Sequence, residues 1–122
     1  ISTDALAMAR DNITASQPRS PVHLLQADAG QMPLADNSVS ALVADLPFGQ
    51  RVGSHAENAV LYPNVLREAA RVSQPQSRFV VITHEVKLMA QVLAQSAQWA
   101  CAEERMITLR GLHPRIYTLV RK

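Results

Sequence analysis

Short apolar runs alternate with stretches of helical periodicity along all 122 residues, and that alternation constrains the fold more than any other feature. Residues 2–13 carry Leu6, Ala9 and Ile13 at helical spacing, with Ala5 beside them. Ser2 or Thr3 can cap this helix, and Asp4 sits in the first turn, where the helix dipole favours an acid. VHLLQAD (22–28) and VSALVAD (39–45) read as strands that each end in an acid. ENAVLYPNVLREAARV (57–72) reads as a helix in which Pro63 makes a kink or marks the start of the main body. SRFVVITH (77–84) is the strongest strand signal, and residues 85–96 follow as a helix. Residues 99–110 and 115–122 are strands joined by Gly-Leu-His-Pro (111–114), a connection short enough to predict an antiparallel hairpin. This order predicts an α/β fold, a mostly parallel sheet closed by a C-terminal antiparallel hairpin. Ligands bind such sheets at the carboxyl ends of the strands, where Asp28, Asp45 and His84 fall.

Composition narrows the function classes. An apolar content of 48% is that of a globular chain. No apolar run approaches the roughly 18 residues of a membrane span, and no signal peptide is visible. Cys101 is the only cysteine, which excludes an internal disulfide framework and fits a reducing, cytoplasmic compartment. Its expected role is that of a buried small apolar residue. The histidines at 23, 55, 84 and 113 lack ligand spacing, so no metal is expected. The basic residues are nearly all arginine, which suits flat contacts to phosphates and bases. The first residue is Ile against a helix start, so the chain reads as cut from something longer.

The informative stretch is ADLPFGQRVGSHAENAVLYPNVLREAARV (44–72). One of only two phenylalanines stands directly after Asp45-Leu46-Pro47, at the end of an apolar run. Asp45-Leu46-Pro47-Phe48 resembles the Asp/Asn-Pro-Pro-Tyr/Phe motif of amino methyltransferases, with Leu46 departing from the commoner proline. Together with RFVVITHEVKLM (78–89) and GLHPRIYTLVRK (111–122), the longer string resembles the THUMP-containing tRNA guanine-N2 methyltransferases. The resemblance implies a partial Rossmann-like catalytic domain that uses S-adenosylmethionine (SAM) on tRNA. The whole of 1–122 would be its C-terminal part. The family's first two strands, its Gly-rich turn, the ribose-binding acid and the THUMP module are then missing, and Asp4 is not that acid.

The same resemblance implies the roles of the site residues. An exocyclic amine is a poor nucleophile because its lone pair is delocalised into the ring. Two acceptors beside its protons favour the tetrahedral geometry that attack requires. Asp45 supplies one acceptor, and the backbone carbonyl of Leu46 the other. The carboxylate stabilises the developing positive charge, and alignment adds the advantage of proximity. A base in a helix must be flipped out to react, so Phe48 is expected to stack on it, with core packing as the alternative. Pro47 stiffens the turn and Gly49 permits close backbone approach. Asp28 is expected to accept from the adenine amine of SAM, with the Ala29 amide facing the ring. Met32, Pro33 and Leu34 either flank that adenine or belong to the core, and Asp28 alternatively serves as a turn aspartate before Gly30. Arg51 and His55 follow the motif, with Ser54 and Asn58, as candidates for substrate contact. Arg51 alternatively pairs with Glu57. Arg110, Arg115 and Arg121 either line RNA or are solvated.

The motif alone leaves the acceptor open among guanine N2, adenine N6 and a glutamine side-chain amide. A catalytically silent RNA-binding or interaction module is the alternative from another class. The long downstream block favours guanine in tRNA by resemblance, and the oligomeric state stays open.

Overall fold

The fold is that of a computed structural model describing residues 3–47 and 54–122. Its elements are helix α1 (Thr3–Ser16), strand β1 (Val39–Asp45), helix α2 (Ser54–Val72), strand β2 (Ser73–Thr83), helix α3 (Val86–Gln95), and strands β3 (Trp99–Met106) and β4 (Arg115–Arg121). Among the described residues, four strands form one sheet in the order β1-β2-β4-β3.

That sheet corrects the expectation of a mostly parallel arrangement. Only β1 and β2 run parallel, whereas β2–β4 and β3–β4 are antiparallel. A single helical crossover, α2, joins the parallel pair, which is the kind of connection parallel neighbours require. The hairpin then inserts β4 beside β2, so every further contact is antiparallel. The second correction concerns residues 22–28. They form no strand ladder, and Asp28 makes only an isolated bridge to Gln31. A strand needs a neighbour to satisfy its backbone groups, and none lies beside this run among the described residues. Val22 and Leu25 accordingly stay exposed.

The helices form where the periodicity placed them. On α2, Tyr62, Val65, Leu66, Ala69 and Ala70 repeat at three and four residues and are all buried. They pack with Leu88, Met89 and Val92 of α3 on one face of the sheet, against Phe79, Val81, Tyr117 and Leu119. Trp99 closes this core, its ring centroid 5.5 Å from that of Phe79 and its indole N–H donating to the Leu66 carbonyl at 2.9 Å. Pro63 lies inside α2, where it removes one backbone donor. Helix α1 contributes no buried residue.

The hairpin tip is tighter than Gly-Leu-His-Pro implied. Leu109 and Leu112 exchange two backbone hydrogen bonds of 2.9 Å across Arg110 and Gly111. Arg110 at φ 51° and Gly111 at φ 77° give the paired left-handed conformation of a two-residue hairpin turn. Cys101, expected to be buried, is exposed on β3. Partial burial of its sulfur, then the Glu104 carboxylate, raises its thiol pKa, which disfavours the nucleophilic form.

Candidate functional site

Strand alternation sets the geometry at the end of β1. Leu42, Ala44 and Leu46 turn toward the helices, and Leu46 is buried in the core. Val43 and Asp45 point to the opposite face and are exposed. Asp45 lies beside Ile82 in the register, and the Leu46 amide continues the ladder by donating to the Ile82 carbonyl at 3.0 Å. An exposed carboxylate therefore stands at the carboxyl edge of the sheet, directly before a peptide anchored on its N-terminal side. The Leu46 side chain is packing, and only its carbonyl remains for chemistry.

Pro47 is anchored on its other side. Its carbonyl accepts from the Asn58 amide at 3.0 Å and from the Tyr62 hydroxyl, both on α2. Tyr62 also meets the Thr83 hydroxyl at 2.5 Å, and the Glu85 amide donates to that hydroxyl at 3.0 Å. His55 Nδ1 lies 2.7 Å from Glu85 Oε2, and the same oxygen is 3.5 Å from the Asn58 amide. The structure thus brings Asp45, Leu46, Pro47 and His55 together through Asn58, Tyr62, Thr83 and Glu85. Phe48, Gly49 and Arg51 lie outside the described residues.

Asp28 and Ala29 occupy a second turn against the middle of α2. The Asp28 carboxylate accepts from the Gly30 amide at 2.7 Å and its carbonyl from the Gln31 amide at 2.9 Å. This is the turn aspartate that the Asp-Ala-Gly spacing allowed. A Cβ at Gly30 would lie 3.3 Å from Asp28 Oδ1 and 3.7 Å from Asn64 Cβ, so the turn sits on the helix. Downstream, Glu68 accepts from the Met32 amide at 2.7 Å. Arg71 pairs with Glu68 and donates to the carbonyls of Met32 at 3.0 Å and Leu34 at 2.9 Å, and to Asp36 at 2.7 Å. The Arg71 bond, followed by that of the Met32 amide, lowers the Glu68 pKa. The Glu68 and Asp36 carboxylates raise that of Arg71. One helix thus supports both loops, its first half holding Pro47, its middle meeting the turn at Gly30 and its last turns holding residues 32–36.

Sequence reasoning missed Tyr62, Thr83, Glu85, Glu68 and Arg71 as determinants of these loops. One signal was present: Asn58 and Tyr62 stand four apart, so two polar groups share the face that α2 buries. The hairpin arginines are structural in part. Arg115 pairs with Glu104 at 2.6 Å, and Arg121 donates to the Ala70 carbonyl at 3.1 Å. Among the described residues, no three His, Cys, Asp or Glu side chains converge as metal ligands, and no helix is long and apolar enough to cross a membrane.

The chemistry of the donor set fits SAM. At Asp28-Ala29, an exposed carboxylate and a neighbouring backbone amide match the exocyclic amine and ring nitrogen of an adenine edge. At Asp45, an exposed carboxylate suits an amine that gains positive charge.

Comparison with known proteins bears on the family and the fold. Residues 1–115 match the family model described as RMKL-like, methyltransferase domain. The tRNA (guanine(6)-N(2))-methyltransferase THUMP3 of Bos taurus is 37% identical over 103 residues, which are 83% of this chain and 20% of that protein. The tRNA (guanine(6)-N2)-methyltransferase of Methanocaldococcus jannaschii is 27% identical over 111 residues, 91% of this chain and 29% of that one. The crystal structure of TrmN from Thermus thermophilus superposes with a TM-score of 0.85 at 26% identity, covering 99% of this chain and 34% of that chain. The chain therefore spans about one fifth to one third of the length of these relatives. The chain belongs to the RMKL-like methyltransferase domain family, and over most of its length it matches the THUMP3- and TrmN-like tRNA guanine-N2 methyltransferases that its motifs resemble.

Proposed function

We propose that residues 1–122 are the C-terminal part of the catalytic domain of a SAM-dependent tRNA methyltransferase that acts on guanine N2. The observation that carries this reading is the end of β1. An exposed Asp45 carboxylate precedes a Leu46-Pro47 peptide held at both ends, by Ile82 and by Asn58 with Tyr62. Family membership supports the reaction class, and the names of the matched relatives support tRNA and guanine as the acceptor.

In this reading Asp28 and Ala29 hold the adenine end of SAM, and Asp45 borders both cofactor and acceptor. Bound there, SAM supplies an electrophilic methyl group. Asp45 accepts one proton of the guanine amine in a hydrogen bond, and the Leu46 carbonyl accepts the other. Together they draw the nitrogen out of conjugation and orient its lone pair. As nitrogen gains positive charge, the carboxylate stabilises it without having to act as a strong base. The loss of freedom needed to align the amine is met by binding rather than at the barrier. Phe48, Gly49, Arg51 and His55 complete the acceptor side, with Phe48 stacking on a flipped base for roughly 1–3 kcal/mol.

The test is methyl transfer by the natural full-length protein from labelled SAM to unmodified tRNA, with nucleoside digestion and mass spectrometry. N2-methylguanosine is expected. Methylated adenosine retains the role of Asp45 but overturns the acceptor. No methylated nucleoside overturns the reading.

A further inference from the structure

The Pro47 carbonyl ends a directed chain of hydrogen bonds. A carbonyl oxygen only accepts, so the single Tyr62 hydroxyl proton must point at Pro47. The Thr83 hydroxyl, 2.5 Å away, must then donate its own proton to the Tyr62 oxygen. The Thr83 oxygen in turn accepts from the Glu85 amide at 3.0 Å. The direction is therefore settled from the amide at the end of β2, through two hydroxyls, to the peptide at the end of β1. Asn58 donates a second bond to the same carbonyl, so both of its lone pairs are engaged. Tyr62 and Thr83 are 0% exposed and Asn58 is 3% exposed, so the Tyr62–Thr83 link is buried and the donors to the Pro47 carbonyl approach it from the core side. Burial raises the Tyr62 pKa, with the nearby Glu85 and Asp45 charges adding to it and the Thr83 bond partly opposing, so the phenol keeps its proton.

This arrangement acts on the one torsion of Pro47 that remains free. The ring fixes its φ, and two donors on its carbonyl fix its ψ. The peptide before it is planar, and Leu46 is tied at its amide to Ile82. The direction of the Leu46 carbonyl is then determined from both sides.

We propose that Tyr62, Thr83 and Asn58 are positioning residues that aim the Leu46 carbonyl, beside Asp45, at the acceptor amine. The inference rests on the methyltransferase reading given above. Phe keeps the ring of Tyr62 in the core, so Tyr62→Phe removes the two hydroxyl bonds and leaves the packing in place. Thr83→Val breaks the same chain at another point, whereas Thr83→Ser preserves the hydroxyl.

The test uses the natural full-length protein and two readouts. The first is amide hydrogen exchange of the peptide that covers residues 42–47. The second is steady-state methyl transfer. Tyr62→Phe and Thr83→Val should each speed exchange there about tenfold. They should lower kcat about 10- to 100-fold, with KM for SAM and tRNA within about threefold, because orientation counts in the transition state. Thr83→Ser should stay near the unmutated protein in both readouts. Unchanged exchange in Tyr62→Phe and Thr83→Val overturns the proposal whether or not the protein is a methyltransferase. A kcat within about twofold of the unmutated value overturns it as well. If the unmutated protein transfers no methyl group while exchange responds as stated, the functional reading fails and the positioning chain stands on exchange.

Discussion

Two buried tyrosines allow the value of a hydroxyl to be tested within one core. Tyr62 is 0% exposed and its hydroxyl serves Pro47 and Thr83. Tyr117 is 2% exposed, and its hydroxyl makes no close hydrogen bond among the described residues, with the carboxylate of Glu104, its neighbour across the β3–β4 ladder, acting on it. Tyr62→Phe removes two bonds, each worth about 1 kcal/mol net, and leaves the Thr83 hydroxyl without its acceptor. The expected loss is about 2–3 kcal/mol. Tyr117→Phe removes a hydroxyl whose lost hydration Glu104 offsets in part, and it should change stability by less than about 1 kcal/mol. The assay is urea unfolding, with shifted midpoints at an unchanged slope. Equal losses in the two variants, or a loss above about 1 kcal/mol for Tyr117→Phe, would refute the reasoning. The alkaline limb gives a second check. Burial, then the Glu104 carboxylate, pushes Tyr117 from 10.0 up to about 12. The unfolded chain ionises first, so stability is complete below pH 10.0 and falls as pH rises toward about 12. Tyr117→Phe should flatten that part of the decline.

Asp45→Asn in the full-length protein should lower kcat at least about 100-fold with tRNA affinity within about threefold, measured by methyl transfer and filter binding. Normal turnover with weakened tRNA binding would contradict the assigned role. Glu68 has its pKa lowered from 4.5, so the hold on residues 32–36 is present above pH 4.5 and is lost as pH falls through the lower folded value. Exchange of the Met32 amide should speed over that acid range, and Glu68→Gln should remove the pH dependence. Gly111 sits at φ 77° with open space around its Cβ position, so Gly111→Ala meets backbone strain alone and should cost about 1 kcal/mol in urea unfolding.

The elements with an apolar period were legible in the order of residues. The buried stripe of α2, the α3 face at Leu88, Met89 and Val92, and the antiparallel hairpin all follow from local spacing and a short connection. The end of β1 was legible too, because alternation puts Leu46 inward and Asp45 outward. Val22 to Asp28 misled for the opposite reason. Their composition suits a strand, but a strand exists only through a partner, often one far away in sequence, and composition does not name it. The mostly parallel sheet failed likewise, since direction is decided by which strand arrives beside β2.

Residue order alone makes certain groups available at the site: a carboxylate at Asp45, a stiff turn at Pro47, an acid before a glycine at Asp28. Tertiary structure alone decided what holds them. Tyr62 reaches Pro47 across 15 residues, Thr83 reaches Tyr62 across 21, and Glu68 reaches Met32 across 36. Hydrogen bonds act over about 3 Å, so such partners are found only after helix and sheet have packed. Propensity and periodicity are properties of neighbours in sequence, whereas the orientation of the Leu46-Pro47 peptide is a property of neighbours in space.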